Sequence, residues 1–336
     1  MRALSATMSD RRVSGRRGGA VLTGLCLALI SVSLYAQENA TYWLQRISAA
    51  MQHLNYEGTF VYIHDGALES IHIIHGADAE GEHEHLMALS GPAREVIRDK
   101  ERVTYILPDD MSVLVDKINP RAPFRLQMPT NIEHLNDYYT VASVSDDRVA
   151  GMPAQRVVLQ PKDNFRYPRI FWLAQQSGLL LRTELQDEQG RVLEQMMFTH
   201  LSLHDRFKAE RFQAQTDGKG YVWLKNTEND TLSNASSQWH FAQLPAGFVQ
   251  ETQRRYRLAN GDGEVEHHIF SDGLSTISVF VEPNKPDADA FIGSSKMGAL
   301  SAYGLVLDDY RITVMGEVPM LTVKTIAGSI RNQAGK

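Results

Sequence analysis

Cysteine is almost absent from this sequence. Cys26 is the single cysteine among 336 residues, and it lies inside an apolar run near the N-terminus. Once that run has been removed, the protein contains no thiol. This absence excludes disulfide bonds, thiol catalysis and cysteine-ligated metal sites, so the remaining chain depends on its hydrophobic cores for stability.

Long hydrophobic runs are lacking as well, apart from the uncharged stretch between Ala20 and Leu34. Five arginines precede this stretch, and a basic segment followed by a short apolar run is typical of a cleavable signal peptide. We therefore assign residues 1–36 to a signal peptide that is cut after Ala36. A cut after Ser33 and a retained N-terminal anchor are the alternatives, although the run is short for a membrane span.

Positively charged residues are fewer than negatively charged ones, and the difference grows once the signal peptide has been removed. Residues 1–36 carry five arginines and one aspartate, so the net charge of −6 for the whole chain becomes −10 for residues 37–336. A surface of this sign does not attract nucleic acid or anionic lipid headgroups over long distances. We predict no nucleic-acid partner, and we expect any partner to dock through apolar or locally basic surface.

The common catalytic and metal-binding motifs are missing too. The sequence contains no Gly-x-Ser-x-Gly, no His-Glu-x-x-His and no phosphate-binding loop. Four histidines, His72, His75, His83 and His85, lie close together, but their spacing differs from that of the usual zinc motifs. We predict that the protein is not an enzyme and has no catalytic residue, no cofactor and no metal site.

What the sequence does contain is mostly strand. Apolar residues follow a helical period at residues 40–54 and again after Pro319, and a short helix is expected near residues 131–137. Most other segments are short, rich in Val, Ile, Tyr, Phe and Thr, and separated by turn pairs such as Asp65-Gly66. Because the links are too short for crossover helices, neighbouring strands should pair antiparallel.

These elements predict an α+β protein with two domains. Residues 37–206 form a large curled antiparallel sheet with few helices, and residues 223–336 form a smaller α+β domain. The polar segment 207–222, which contains Gly218 and Gly220, is predicted to be a linker that lets the domains change their relative orientation.

A sheet of about eleven strands must curl, and its concave face must be covered. The predicted helices cover only part of that face, so either loops such as Asn119–Thr130 fill the remainder or an apolar cavity stays open. We predict a lipid-sized cavity, with a filled core as an equally weighted alternative. The large apolar strand residues that would line it are Phe60, Tyr62, Phe171 and Met196.

An ordered set of short motifs resembles the MucB/RseB family of periplasmic regulators. In the first half these are the segments Leu54–Tyr62, Glu84–Leu86, Arg94–Arg98, Phe171–Leu173 and Gly178–Arg182. In the second half they are the segments Leu244–Phe248, Phe270–Leu274, Ser278–Val281 and Gly316–Pro319. The matches cover nearly all of residues 37–336 in order, which makes the set specific although each motif alone is weak.

The resemblance implies a function for both domains. A member of this family would bind the periplasmic domain of a membrane-spanning anti-sigma factor of the RseA or MucA type and shield it from regulated proteolysis. The envelope-stress sigma factor would then stay inactive until lipid or lipopolysaccharide promotes release. The resemblance also implies that the first domain is an unclosed barrel like the carriers LolA and LolB, so a periplasmic lipid or lipoprotein carrier is the alternative function. The resemblance is compatible with both a monomer and a homo-oligomer.

The candidate partner-binding residues come from the motifs of the second domain. They are Phe248, Phe270, Asp272 and Leu274. The alternative is that Phe270 belongs to the core and that Asp272-Gly273 only closes a hairpin. We expect partner contact around Phe248 and Leu274.

Overall fold

A computed structural model describes residues 42–117, 132–225, 237–257, 263–284 and 291–333. The first element within these ranges is helix α1, which covers residues 42–53. Trp43, Leu44, Ile47 and Ala50 recur every three or four residues on one side of this helix and are buried. The apolar residues that follow the predicted helical period therefore form the face that packs on the sheet.

Twelve strands form the first sheet. They are β1 (Asn55–His64), β2 (Ala67–Asp78), β3 (Gly81–Ala88), β4 (Glu95–Arg98), β5 (Arg102–Leu107), β6 (Ser112–Lys117), β7 (Tyr139–Val149), β8 (Met152–Pro161), β9 (Arg169–Ala174), β10 (Leu180–Gln186), β11 (Val192–His204) and β12 (Val222–Lys225). Their spatial order is β12-β6-β5-β4-β3-β2-β1-β11-β10-β9-β8-β7. Only β12 and β6 pair parallel; the other neighbours are antiparallel.

The first sheet is unclosed, because β12 and β7 lie at opposite ends of the strand order. It nevertheless has one continuous core. Buried side chains from distant strands, such as Val96 on β4 and Val141 on β7, join that core together with residues of α1. The short helix α2 (Ile132–Tyr138) immediately precedes β7 and contributes Leu135. The predicted curled sheet with few helices is confirmed.

The second sheet is smaller. Its strands are β14 (Val249–Arg257), β15 (Glu264–Ser271), β16 (Thr276–Pro283), β17 (Gly293–Met297), β18 (Leu300–Leu307) and β19 (Tyr310–Gly316), in the order β14-β15-β16-β19-β18-β17. Helix α3 (Met320–Ser329) packs against β18 and β19 through Val323, Ile326 and Ala327. A separate pair, β13 (Trp239–Phe241) and β20 (Ile330–Asn332), completes the domain and confirms the α+β class.

The segment predicted to be a linker lies against the first sheet. It contains a short 3-10 helix, Ala209–Phe212, whose Phe212 ring packs over Gly76 of β2. Glu95 accepts hydrogen bonds from the backbone N–H groups of Gln215 (2.7 Å) and Thr216 (3.2 Å). At its end, Val222 enters strand β12 beside β6. The domain boundaries themselves stay a prediction.

Some sequence-based assignments fall outside the described residues. They include the predicted signal peptide, residues 1–36, and the whole of the loop Asn119–Thr130. Within the part of the chain that the structure describes, no helix has the length and apolar character needed to cross a membrane.

Candidate functional site

The four predicted cavity residues lie together in the core of the first domain. On β1, Phe60 and Tyr62 share one face, and Tyr62 lies opposite Met196 of β11 in the strand register. The ring of Phe60 meets that of Phe198 edge-on at 5.5 Å between centroids. Phe171 on β9 is almost fully buried in the same cluster. The sequence therefore identified residues of one contiguous core.

The space around these residues is small in the described part of the chain. A cleft with a cavity volume of about 10 Å³ lies beside them, lined by Ile71, Leu86, Ala88, Arg94 and Val96. Ile71 is the cross-strand neighbour of Phe60. Pockets that enclose small-molecule ligands usually have volumes of about 300–1,000 Å³. The lipid cavity stays a prediction, since the loop expected to cover this face lies outside the described residues.

The predicted partner-binding residues are all buried in this structure. Phe270 belongs to the core of the second domain, where its ring contacts that of Phe241 at 4.7 Å. Phe248 is in the same cluster, whereas Leu274 joins the core of the first domain. Direct contact of these residues with a partner therefore stays a prediction. Phe248, Asp272 and Leu274 contact the first domain, whereas Phe270 packs inside the second.

The hairpin between β15 and β16 makes that junction. Asp272 shapes its tip, because one carboxylate oxygen accepts hydrogen bonds from the N–H groups of Leu274 (2.9 Å) and Ser275 (2.7 Å). Gly273 has a φ of 89°, which a side chain with a Cβ would oppose. This tight turn projects Leu274 out of its own domain and into the neighbouring core.

Arg166 of the first domain holds the hairpin tip in place. Its Nε donates to the second carboxylate oxygen of Asp272 at 2.5 Å, and both side chains are 0% exposed. The hydroxyl of Tyr139 donates to the same oxygen at 3.2 Å. Arg166 also donates to the carbonyl of Ala246 and pairs with Asp163. We call Arg166, Asp272 and Tyr139 the interdomain latch.

Aromatic rings enclose the latch. The guanidinium of Arg166 lies 4.8 Å from the ring centre of Phe248 and 4.9 Å from that of Tyr138, distances suited to cation–π attraction. Burial, followed by the charge of Asp272, raises the pKa of Tyr139 far above its usual value. Tyr139 is therefore a neutral hydroxyl that donates to Asp272 across the physiological pH range.

Contacts around the latch extend the junction. The hydroxyl of Thr322 on α3 donates to the carbonyl of Phe165 at 2.8 Å. Farther out, Ala299 of the second domain packs with Tyr167 and Leu185 of the first. The two domains are thus joined by a buried ionic centre with apolar and hydrogen-bonded contacts around it.

Sequence reasoning found one side of this junction and missed the other. Asp272 and Leu274 were singled out as part of a motif, but Arg166 and Tyr139 were not. Arg166 follows Asn164-Phe165 and precedes Tyr167-Pro168, so an arginine embedded among aromatic residues was the only available signal. Because its partner lies 106 residues away, no local pattern connects them.

Both domains match models of known protein families. Residues 39–216 match the model of the MucB/RseB N-terminal domain, and residues 233–331 match that of the MucB/RseB C-terminal domain. The chain belongs to the MucB/RseB family. The resemblance inferred from the sequence motifs is thereby confirmed.

Members of the MucB/RseB family in other bacteria align along most of this chain. The sigma-E factor regulatory protein RseB of Haemophilus influenzae is 28% identical over 316 residues, covering 92% of this chain and 97% of that protein. The sigma factor AlgU regulatory protein MucB of Pseudomonas aeruginosa is 30% identical and covers 91% of this chain and 95% of that protein.

Solved structures of MucB/RseB family members are similar to this structure over most of the chain. MucB in complex with MucA(peri) has a TM-score of 0.69 and 28% identity, covering 88% of this chain and 100% of that one. The structure of the Pseudomonas aeruginosa MucA/MucB complex has a TM-score of 0.70 and 26% sequence identity, with the same coverage of both chains.

Proposed function

We propose that this protein regulates an envelope-stress sigma factor by binding the periplasmic region of a membrane anti-sigma factor. Family membership in both domains supports this proposal, as do the names of the relatives, which are sigma-factor regulatory proteins. The single observation that carries it is the similarity over the full length of MucB as it occurs in complex with MucA(peri). The protein acts by binding and not by chemistry on its partner.

The location and consequence of binding follow from the same proposal. After removal of residues 1–36, the protein works in the periplasm. Its bound state covers the anti-sigma factor and shields it from regulated proteolysis, so the sigma factor stays sequestered. Lipid or lipopolysaccharide, bound in the first domain near Phe60, Tyr62, Phe171 and Met196, promotes release.

We assign the partner-binding role of the second domain to the hairpin and its surroundings. Phe248, Phe270, Asp272 and Leu274 are buried at or beside the junction. They therefore influence the partner by fixing how the two domains present one surface, and the interdomain latch sets that arrangement. A lipid that prefers a different arrangement of the domains would weaken partner binding through the same contacts.

The test is binding of the mature chain to the periplasmic region of the anti-sigma factor from the same organism. Calorimetry should show saturable binding, and the complex should resist the first protease longer than the free anti-sigma region does. Light scattering of the complex gives its stoichiometry and tests for a homo-oligomer. Absence of binding, together with capture of lipoproteins from the periplasm, would instead establish the carrier function.

Paired variants test the role of the junction. Phe248→Ala and Leu274→Ala should weaken partner binding, whereas Val249→Ala should not, because the neighbouring Val249 side chain is 62% exposed. Circular dichroism and thermal unfolding must show that each variant is folded. Unchanged partner affinity in folded Phe248→Ala and Leu274→Ala would disprove this assignment.

A further inference from the structure

A second cluster of polar residues lies away from the junction, on the first sheet. His75, Glu82 and Glu84 each present one ligand atom, and these atoms all lie within 4.8 Å of one another. The function proposed above uses none of the three. Two carboxylates and one imidazole at this separation are chemically suited to hold a cation.

Strand pairing brings the three side chains together. In the β2–β3 register, His75 lies directly opposite Glu84, and Ala77 lies opposite Glu82. Residues two apart on a strand share a face, so Glu82 and Glu84 both lie on the face of His75. This arrangement depends on cross-strand neighbours, which explains why the spacing of histidines alone led us to predict no metal site.

The imidazole of His75 is oriented as in many metal sites. Its Nδ1 lies 2.8 Å from the carbonyl oxygen of Leu54. A carbonyl can only accept, so Nδ1 carries the proton, and in the neutral imidazole Nε2 keeps its lone pair. His75 is 1% exposed, and Nε2 has no hydrogen-bond partner. A buried acceptor without a partner costs free energy unless a ligand satisfies it.

The surroundings fix this imidazole further. The ring of Tyr56 stacks on that of His75 with 4.7 Å between centroids and 11° between planes. This stacking restricts the orientation of the imidazole beside Glu82 and Glu84.

We propose that His75, Glu82 and Glu84 form a binding site for a divalent transition-metal ion, with zinc as the best match. Zinc accepts imidazole nitrogen together with carboxylate oxygen, and three protein ligands leave a position for water. The hydrogen bond from Nδ1 to a backbone carbonyl is the outer-sphere contact that commonly orients a metal-bound histidine. Arg98 contacts one oxygen of Glu84 at 2.5 Å, and a carboxylate has a second oxygen for a metal.

The site would connect two elements. Leu54 lies between α1 and β1, so its carbonyl links the end of the helix to His75 on β2. A metal on His75, Glu82 and Glu84 would therefore strengthen the attachment of α1 to this end of the sheet. This role is independent of partner binding, and either proposal can fail without the other.

The test uses the intact mature protein, treated with a chelator and then titrated with zinc sulfate. Calorimetry should reveal one tight site, and cobalt substitution should give the visible absorption of a low-coordinate site. His75→Gln and Glu82→Gln should each weaken the tight site by more than about 100-fold, because even outer-sphere changes alter metal affinity by about 10–100-fold. His72→Gln is the matched control, since His72 lies on the same strand but faces the other side and contacts Glu57.

The outcomes separate clearly. Loss of the tight site in His75→Gln and Glu82→Gln, with retention in His72→Gln, supports the proposal. Weak binding by many sites, or an equal effect of all three variants, overturns it and indicates adventitious binding to surface histidines. Failure of the unmodified protein to bind zinc or cobalt also overturns it. Because Glu82→Gln removes a charge without changing size, a folding defect in His75→Gln does not prevent a decision.

Discussion

At the scale of single residues, the junction between the domains contains a buried ion pair. Arg166 and Asp272 have no exposed side-chain surface and pair with each other, and Arg166 also pairs with Asp163. Removing one member of a buried ion pair leaves the other charge without compensation, which typically costs about 3–5 kcal/mol. The interdomain latch should therefore be sensitive to truncation on either side.

We predict that Arg166→Met lowers the free energy of unfolding by about 3–5 kcal/mol. Tyr139→Phe is the matched control, because it removes a single hydrogen bond to the same carboxylate and should cost about 1 kcal/mol. Urea unfolding monitored by tryptophan fluorescence measures both. Equal, small effects of the two variants would show that the latch contributes little to stability.

A second buried pair predicts how stability depends on pH. Nε2 of His85 lies 2.6 Å from Glu95. Burial by itself would lower the pKa of His85, but the bonds to Glu95 and to the Arg211 carbonyl raise it above its usual 6.5. Burial likewise would raise the pKa of Glu95, but His85 and two backbone N–H groups bring it below 4.5.

The sign of each shift defines the pH window. A carboxylate whose pKa is lowered by folding stabilises the fold above about pH 4.5. This contribution is lost as the pH falls through the pKa of the folded state. A histidine whose pKa is raised by folding stabilises the fold below about pH 6.5. This contribution is lost as the pH rises through the pKa of the folded state. The contribution of the pair should thus be largest between about pH 4.5 and 6.5. Unfolding free energies across pH should show this maximum. The double variant His85→Gln/Glu95→Gln should lose it, and the half-buried control His83→Gln should keep it.

At the scale of elements, the loop before β14 fits closely against α2. Gly247 has a φ of 87°, and a Cβ placed there would lie 2.5 Å from the Tyr138 ring. Tyr138 is the last residue of α2 and also faces Arg166. The absence of a side chain at residue 247 therefore allows the second domain to approach the first.

We predict that Gly247→Ala destabilises the protein more than Gly190→Ala does. Gly190 has a similar φ of 77°, but nothing lies within 4 Å of an added Cβ, so its replacement should cost only the backbone penalty of about 1–2 kcal/mol. The excess cost at Gly247 measures the close approach to Tyr138. Thermal unfolding of the two variants provides the comparison, and equal losses would contradict a tight junction.

Elements with a clear hydrophobic period were predictable from the sequence. Helices α1 and α3 and most strands of the first sheet follow from local patterns and turn pairs. Strands β17 and β18 were missed, because Gly293–Met297 is polar and Gly304 interrupts the apolar pattern of β18. Strand β12 was missed because it is short and begins at the end of the segment read as a linker. Its parallel pairing with β6 spans more than 100 residues of chain, which no local rule specifies.

At the scale of the whole molecule, the candidate sites depend on contacts between distant segments. Family motifs correctly identified the MucB/RseB family and drew attention to Phe270–Leu274. The role of Leu274 in the first domain's core could not be predicted, because it requires the hairpin tip to meet Arg166 and Tyr139. Composition and periodicity establish which residues are apolar, and long-range packing determines which surfaces they cover.

A regulator that responds to lipid must also obey thermodynamic reciprocity. If lipid weakens partner binding by a given factor, the partner must weaken lipid binding by the same factor. A carrier without an anti-sigma partner has no such coupling. An engineered disulfide across the domain junction should remove the lipid effect if rearrangement of the domains transmits it, and should leave the effect intact if lipid and partner compete directly for one surface.

The most direct measurement is the affinity of the mature chain for the periplasmic region of its anti-sigma factor, with and without saturating lipopolysaccharide. Calorimetry on both samples is sufficient, and the reciprocal titration checks the coupling factor. We predict saturable binding that becomes weaker when the lipid is present. Failure to bind the anti-sigma region, or binding of equal affinity in both samples, would contradict the proposed lipid-regulated function.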